Sequence, residues 1–188
     1  MYTIEQIKKD LKNNLSEFRY EHSILVAEES KKLAYHYQVD EEKAYIAGLV
    51  HDIAKEFNDE ENAKWIEKYK LSGDIFSPEY KNVIHSFIGA EVIKEWYGMD
   101  EEICNAVKYH TIGNLPMTTL EKIVFVADKI ARKESNPIID EEKRLAYQDI
   151  DKALEFYLRT QKNKFESLGK KMYSTTLELL KFLDNKNS

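Results

Sequence analysis

The stretch Ala44-Tyr45-Ile46-Ala47-Gly48-Leu49-Val50-His51-Asp52-Ile53-Ala54-Lys55 decides how this chain is read. Seven small or apolar residues lead into an imidazole and a carboxylate, and two more precede a lysine. Such a run is a core-facing helix whose end enters a cavity. Burying His51 and Asp52 side by side is costly unless a partner satisfies both, and a divalent cation is one such partner. Working outward, His22, His85, His110 and Asp128 each lie within or at the end of an amphipathic helical segment. One buried histidine is usually a hydrogen-bonded core residue. Four in the same context, with two aspartates, point to a metal site.

The pattern around them is helical almost throughout. The 188 residues include three prolines and six glycines, with no sustained period-two alternation. Thr3 with Gln6 and Thr118 with Glu121 are capping-box pairs. Ser77-Pro78 supplies a cap and a first-turn proline. Asp40 precedes Glu41 and Glu42 in a first turn, and Gly98 and Gly113 are stops. These signals predict helices at about 3–14, 17–38, 40–56, 59–69, 78–97, 100–110, 118–132, 140–168 and 170–184. No repeat, linker or composition break interrupts them. The expectation is an all-α, single-domain helical bundle over 1–188, with its core at about 17–180.

Composition limits function. The apolar fraction is 43% and the formal net charge −6. A general nucleic-acid binder needs a basic face, which this chain lacks. No apolar run approaches the roughly 20 residues that cross a bilayer, and no basic-then-apolar leader is present. The single cysteine, Cys104, allows no internal disulfide and reads as a small core residue. The expected setting is cytoplasmic, with no nucleic acid and no membrane partner, and with a homodimer as the assembly to test.

Helical spacing sorts the candidates. On a continuous helix His51, Asp52 and Lys55 share one face, so Lys55 is placed to hold a phosphate oxygen near the metal pair. Arg19, one turn before His22, leans the same way. His36 lies on nearly the same face as His22 but about 21 Å along the axis, and cannot share its metal. The segment Tyr109-His110-Thr111-Ile112-Gly113 ends a helix with an imidazole, a hydroxyl and a glycine. His110 there either interacts with the helix dipole or faces the shared cavity.

With these residues in view, the order His22, His51-Asp52, Asp128 resembles the H…HD…D signature of the HD-domain metal-dependent phosphohydrolases. The strings Ala47–Lys55, His85-Ser86-Phe87-Ile88-Gly89-Ala90, Ala106–Gly113 and Val126-Ala127-Asp128-Lys129-Ile130 resemble those of the branch that cleaves diadenosine tetraphosphate symmetrically. The resemblance runs over about residues 17–180. It implies that His22, His51, Asp52 and Asp128 bind one metal. His85 and His110 then face a second metal or the substrate phosphates, with Asp52 able to bridge. It also implies a dinuclear centre, with iron the metal it points to. A four-histidine, two-aspartate set suits Fe, Mn, Co, Ni or Zn better than Mg or Ca. Asp52 and Lys55 are the expected catalytic residues, and Arg19, Lys55, His85, His110, Thr111 and Arg132 the expected contacts to a small nucleotide substrate.

Two strings depart from that branch. Its usual Glu-Pro-x-Arg after the aspartate is replaced by Ala131-Arg132-Lys133-Glu134, which puts Glu134 at the arginine position. Its His-Pro-x-Thr string is replaced by Tyr173-Ser174-Thr175-Thr176. The alternatives are an HD-type phosphohydrolase for another nucleotide, such as a monophosphate, and a non-catalytic metal- or nucleotide-binding module. A cyclic dinucleotide phosphodiesterase would carry a Gly-Tyr-Pro string, which is absent.

Overall fold

The computed structural model describes residues 2–73, 76, 80–134 and 136–186. Among them are ten helices and no strand: α1 (Ile4–Asn14), α2 (Glu17–Tyr37), α3 (Glu41–Val50), α4 (Asp59–Tyr69), α5 (Ile84–Tyr97), α6 (Glu101–Tyr109), α7 (Thr119–Ile130), α8 (Pro137–Ala146), α9 (Ile150–Ser167) and α10 (Ser174–Lys186). The fold is all-α, as the periodicity predicts. No helix is long and apolar enough to cross a membrane among the described residues.

Local chemistry sets most boundaries. Both expected capping boxes form: Thr3 accepts from Gln6 N and Thr118 from Glu121 N, and each partner side chain returns a bond to the cap. Asn58 and Glu61 form a third. Gly98 ends α5 at φ 64, a left-handed conformation that glycine adopts without a Cβ clash. The Ser77-Pro78 start lies outside the described residues.

Three predicted helices are corrected. Among its described residues, the segment 78–97 is α-helical only from Ile84, with turns over residues 81–83. The segment 140–168 is not continuous. It divides into α8 and α9, because Asp149 caps a new helix by accepting from Asp151 N at 2.9 Å and Lys152 N at 3.4 Å. The preceding helix also starts earlier, with Asn136 capping Ile138 N and Ile139 N ahead of Pro137. The segment 40–56 stops being α-helical at Val50. Ile53 N, Lys55 N and Phe57 N instead donate to Val50 O, Asp52 O and Ala54 O, giving successive tight turns. The cause is a side chain: His51 Nδ1 takes the Gly48 carbonyl at 2.7 Å, the acceptor that the next helical N–H would have used.

The core forms two apolar clusters that share α2, α3 and α7. One holds Leu11, Leu49, Ile88, Ile93 and Val107. The other holds Leu33, Phe125, Ile130, Leu154 and Leu183. Each of these large side chains contributes about 1.5–3 kcal/mol through removal from water. Helix α3 packs on α2, α6 and α7, and α5 packs on α6. These five helices carry the expected ligands or, for His51, Asp52 and His110, end next to them, so packing the core also assembles the polar residues at its seam.

Candidate metal centre

Two histidines are delivered by helix ends. His51 closes α3 and His110 closes α6, and each ring Nδ1 meets the carbonyl three residues back: Gly48 O at 2.7 Å and Val107 O at 2.6 Å. A helix C-terminus leaves carbonyls without intrahelical partners, and an imidazole N–H can satisfy one. With Nδ1 as donor, Nε2 is the bare acceptor on both rings, which is the usual arrangement of a ligating histidine and its outer contact. His51 is fully buried, and its Nε2 has no hydrogen-bond partner. An unpartnered buried imidazole nitrogen is expensive, and a cation held by the neighbouring groups would satisfy this one.

The other ligand atoms converge on it. His22 Nε2 lies 2.9 Å from Asp128 Oδ1, and His51 Nε2 lies 3.5 Å from that oxygen and 3.6 Å from Asp52 Oδ2. Asp52 Oδ1 lies 3.2 Å from His85 Nε2 and 3.7 Å from His110 Nε2. Ligands held about 2.0–2.2 Å from one metal stand roughly 3.0–3.6 Å apart, so these separations fit. Two triads result, His22–His51–Asp128 and His51–Asp52–His110, in each of which the ligand atoms lie within 4.8 Å of one another. They share His51. Asp52 directs one oxygen toward each side.

The electrostatics suit a cation. Burial alone would raise the Asp52 carboxyl, but the surrounding imidazoles of His51, His110 and His85 hold it well below the usual range. Burial likewise opposes ionisation of Asp128, and Lys129 with His22 and His51 overcomes it. Burial depresses the His85 imidazole to about 4, which leaves it neutral and able to ligate. At His51 burial is outweighed by Asp52 and Asp128, so its affinity for a positive charge is raised.

The expected substrate contacts divide. Arg19 Nη1 donates to Asp52 Oδ2 at 3.1 Å. The Lys55 ammonium lies 3.3 Å from both ring nitrogens of His85, and burial lowers its pKa. Because residues 51–56 form tight turns, Lys55 stands over Asp52 by its i,i+3 relation, and the predicted three-residue helical face is not present. Arg132 reaches to 4.0 Å from Asp128 Oδ1. Thr111 is engaged elsewhere: its hydroxyl meets Ser86 Oγ at 3.1 Å and ties the end of α6 to the start of α5. Thr176, in the altered C-terminal string, donates to Ile112 O at 2.9 Å and fastens α10 to the segment after His110. His36 packs against the Tyr37 and Tyr147 rings, away from the centre.

Lys129 escaped the sequence reading. Its ammonium pairs with Asp128 Oδ2, which leaves Oδ1 to the centre, and it donates to His110 O at 3.4 Å. Its signal was legible: a lysine inside the apolar run Ile123–Ile130 raises the same question as Asp52 does in α3.

The HD domain family matches residues 19–133, which span all of these ligands. The chain belongs to the HD-domain family. Among its relatives is a protein of Staphylococcus aureus named symmetrical bis(5′-nucleosyl)-tetraphosphatase, 37% identical over 77% of this chain and 74% of that protein. A Bacillus subtilis protein of the same name is 36% identical over 77% of each. A solved Clostridium acetobutylicum structure, described as a predicted HD superfamily hydrolase involved in NAD metabolism, aligns with a TM-score of 0.91 at 33% identity over 99% of both chains. HD domains are metal-dependent, and the buried histidine and aspartate groups of this one could hold a metal ion.

Proposed function

We propose that this HD protein, acting as one unit along its length, hydrolyses dinucleoside tetraphosphates at the central anhydride, with diadenosine tetraphosphate giving two ADP. The observation that carries the reading is the Asp52 carboxylate, whose two oxygens face the two overlapping ligand triads while Arg19 and Lys55 stand beside it. The names of the S. aureus and B. subtilis relatives support the substrate.

In this reading His22, His51, Asp52 and Asp128 would hold one cation, and His85 and His110, beside Asp52, would hold a second. Iron is the metal proposed, and a nitrogen-rich donor set supports a transition metal over Mg or Ca. When bound, the metals supply Lewis-acid polarisation of the phosphoryl group and lower the pKa of water. The chain's own residues do the rest. Neutral His85 and His110 present lone pairs inward. Lys55 and Arg19 hold the phosphate oxygens in line and stabilise charge spread over the equatorial positions. The leaving nucleoside diphosphate takes the bridging oxygen, and water's oxygen stays on the other product. The reading also carries a cytoplasmic setting and a homodimer, the latter measured by light scattering.

The experiment is metal analysis of the purified chain, followed by chromatography of its products. Two ADP per diadenosine tetraphosphate is the expected result. AMP plus ATP would place the cut one phosphate away from the centre. Release of phosphate from nucleoside monophosphates alone would refute the reading.

A further inference from the structure

We propose that the compartment between the start of α2 and the 131–134 segment is a nucleobase site, with Phe18 as its stacking platform. This deepens the hydrolase reading and rests on it for the identity of the ligand, a purine nucleoside diphosphate unit of the substrate. The cavity measures about 280 Å³. That is just under the smallest usual ligand pocket, room for a base with its sugar and too little for a whole dinucleoside polyphosphate. His22, a candidate ligand, lines it together with Leu25, Ala131 and Arg132.

Phe18 is 68% exposed. An isolated exposed apolar side chain needs no explanation, but this one has a particular position. Tyr2, Tyr35, Ile138, Leu168 and Phe182 are also exposed, and none lines a described cavity that reaches a ligand residue. The Arg19 guanidinium stands 5.7 Å from the Phe18 ring centroid and donates to Asp52 at 3.1 Å. Aromatic ring, phosphate-binding cation and bridging carboxylate therefore follow one another in the order base, phosphate, reacting phosphorus. Every base has a π-face, so a phenylalanine holds it without reading its identity. Lys133 pairs with Glu21 across one side of the compartment, and Glu134 stands at its rim. Arg132 lines the compartment too, so its two cations are matched by Glu21 and Glu134, whereas Arg19 lies outside it beside Asp52, which is where the phosphates are placed.

The test is calorimetric titration of the metal-loaded protein with ADP and, separately, inorganic pyrophosphate. Wild type should bind ADP more tightly than pyrophosphate. Phe18→Ala should weaken ADP roughly 5- to 150-fold, the range for loss of one base–aromatic stack, and leave pyrophosphate binding unchanged. Phe18→Tyr, which keeps the ring, should restore ADP binding. For diadenosine tetraphosphate, KM should rise in Phe18→Ala with kcat maintained. Because Phe18 is exposed, the variant should melt with wild type, which separates lost binding from lost fold. Unchanged ADP affinity in Phe18→Ala, or equal loss for ADP and pyrophosphate, overturns the base site even where wild type cleaves the tetraphosphate. Conversely, Phe18-dependent ADP binding in a protein that cleaves no dinucleoside tetraphosphate sustains the base site and defeats the hydrolase reading.

Discussion

Gly48→Ala tests whether the ligand cluster is held by the close approach of α2 and α3. A Cβ at Gly48 would meet Ser30 Oγ at 2.7 Å, Val26 O at 2.9 Å and Ala27 Cα at 3.0 Å. The last two are backbone atoms of α2, the helix that carries His22, so relief requires the helices to part by a few tenths of an ångström. Overpacking of this kind costs about 1–3 kcal/mol. Alanine returns about 1 kcal/mol of helix propensity. The net loss is thus about 0–2 kcal/mol, a fall in Tm of at most about 8 °C for a chain of this size.

The effect on metal should be larger than the effect on stability. Gly48 O holds His51 Nδ1, and the His22 and His51 ring centroids are 5.4 Å apart across this seam. A disturbed outer contact typically lowers metal affinity about 10–100-fold. Calorimetry and titration against a competing chelator measure the two effects separately. Ser30→Ala provides a second arm. Its Oγ is buried without a partner, so its removal alone should be nearly neutral or stabilising. Combined with Gly48→Ala it should recover only part of the loss, because Val26 O and Ala27 Cα remain. A Gly48→Ala protein that gains the full propensity term and binds metal as wild type does would refute the reasoning.

Lys55→Ala should retain metal, since an ammonium offers donors and no lone pair, while slowing hydrolysis by about 10²–10³; His51→Ala should lose metal. Metal depletion in Lys55→Ala would reverse that assignment. Glu142 is buried with Oε1 unpartnered, and burial raises it from 4.5 to about 7, opposed by Lys129 and Arg132 and assisted by Asp128. Its stabilising protonated form is fully present below about pH 4.5 and is lost as pH rises through about 7, so metal-free Glu142→Gln should match wild type at pH 5 and exceed it by up to about 3 kcal/mol at pH 8, as read by thermal denaturation; equal stability at pH 8 would sink the point.

The parts of the fold legible in the sequence were those decided by local chemistry. Helices α1, α4 and α6 fall within a residue of their predicted spans because their caps are made by side chains within three positions. The errors have the opposite cause. Residues 51–56 keep helical periodicity, yet His51 spends its Nδ1 on Gly48 O and the ladder ends. Tyr147–Asp149 breaks a charged, helix-forming run because Asp149 caps forward, and a short polar residue in such a run carries no clear sign of which way it will bond.

The ligand cluster was legible for a related reason. A polar residue on an apolar helix face has few explanations, and His22, His51, Asp52, His85, His110 and Asp128 all converge where five packed helices meet. The proposed substrate contacts follow no such rule. Arg19, Phe18 and Arg132 stand on exposed or half-exposed ground, where periodicity imposes nothing and a charge reads as solvated surface. Thr111 shows the consequence: it sits beside a ligand in sequence, but its hydroxyl serves Ser86 and the helix junction. Burial constrains the centre through the cost of every unpartnered atom, whereas the rim is constrained only by what it binds. That is why a chain that brings its six expected ligand residues together can carry Glu134 where the branch it resembles is expected to carry arginine, and why the base-binding and product experiments, more than any ligand substitution, will decide its substrate.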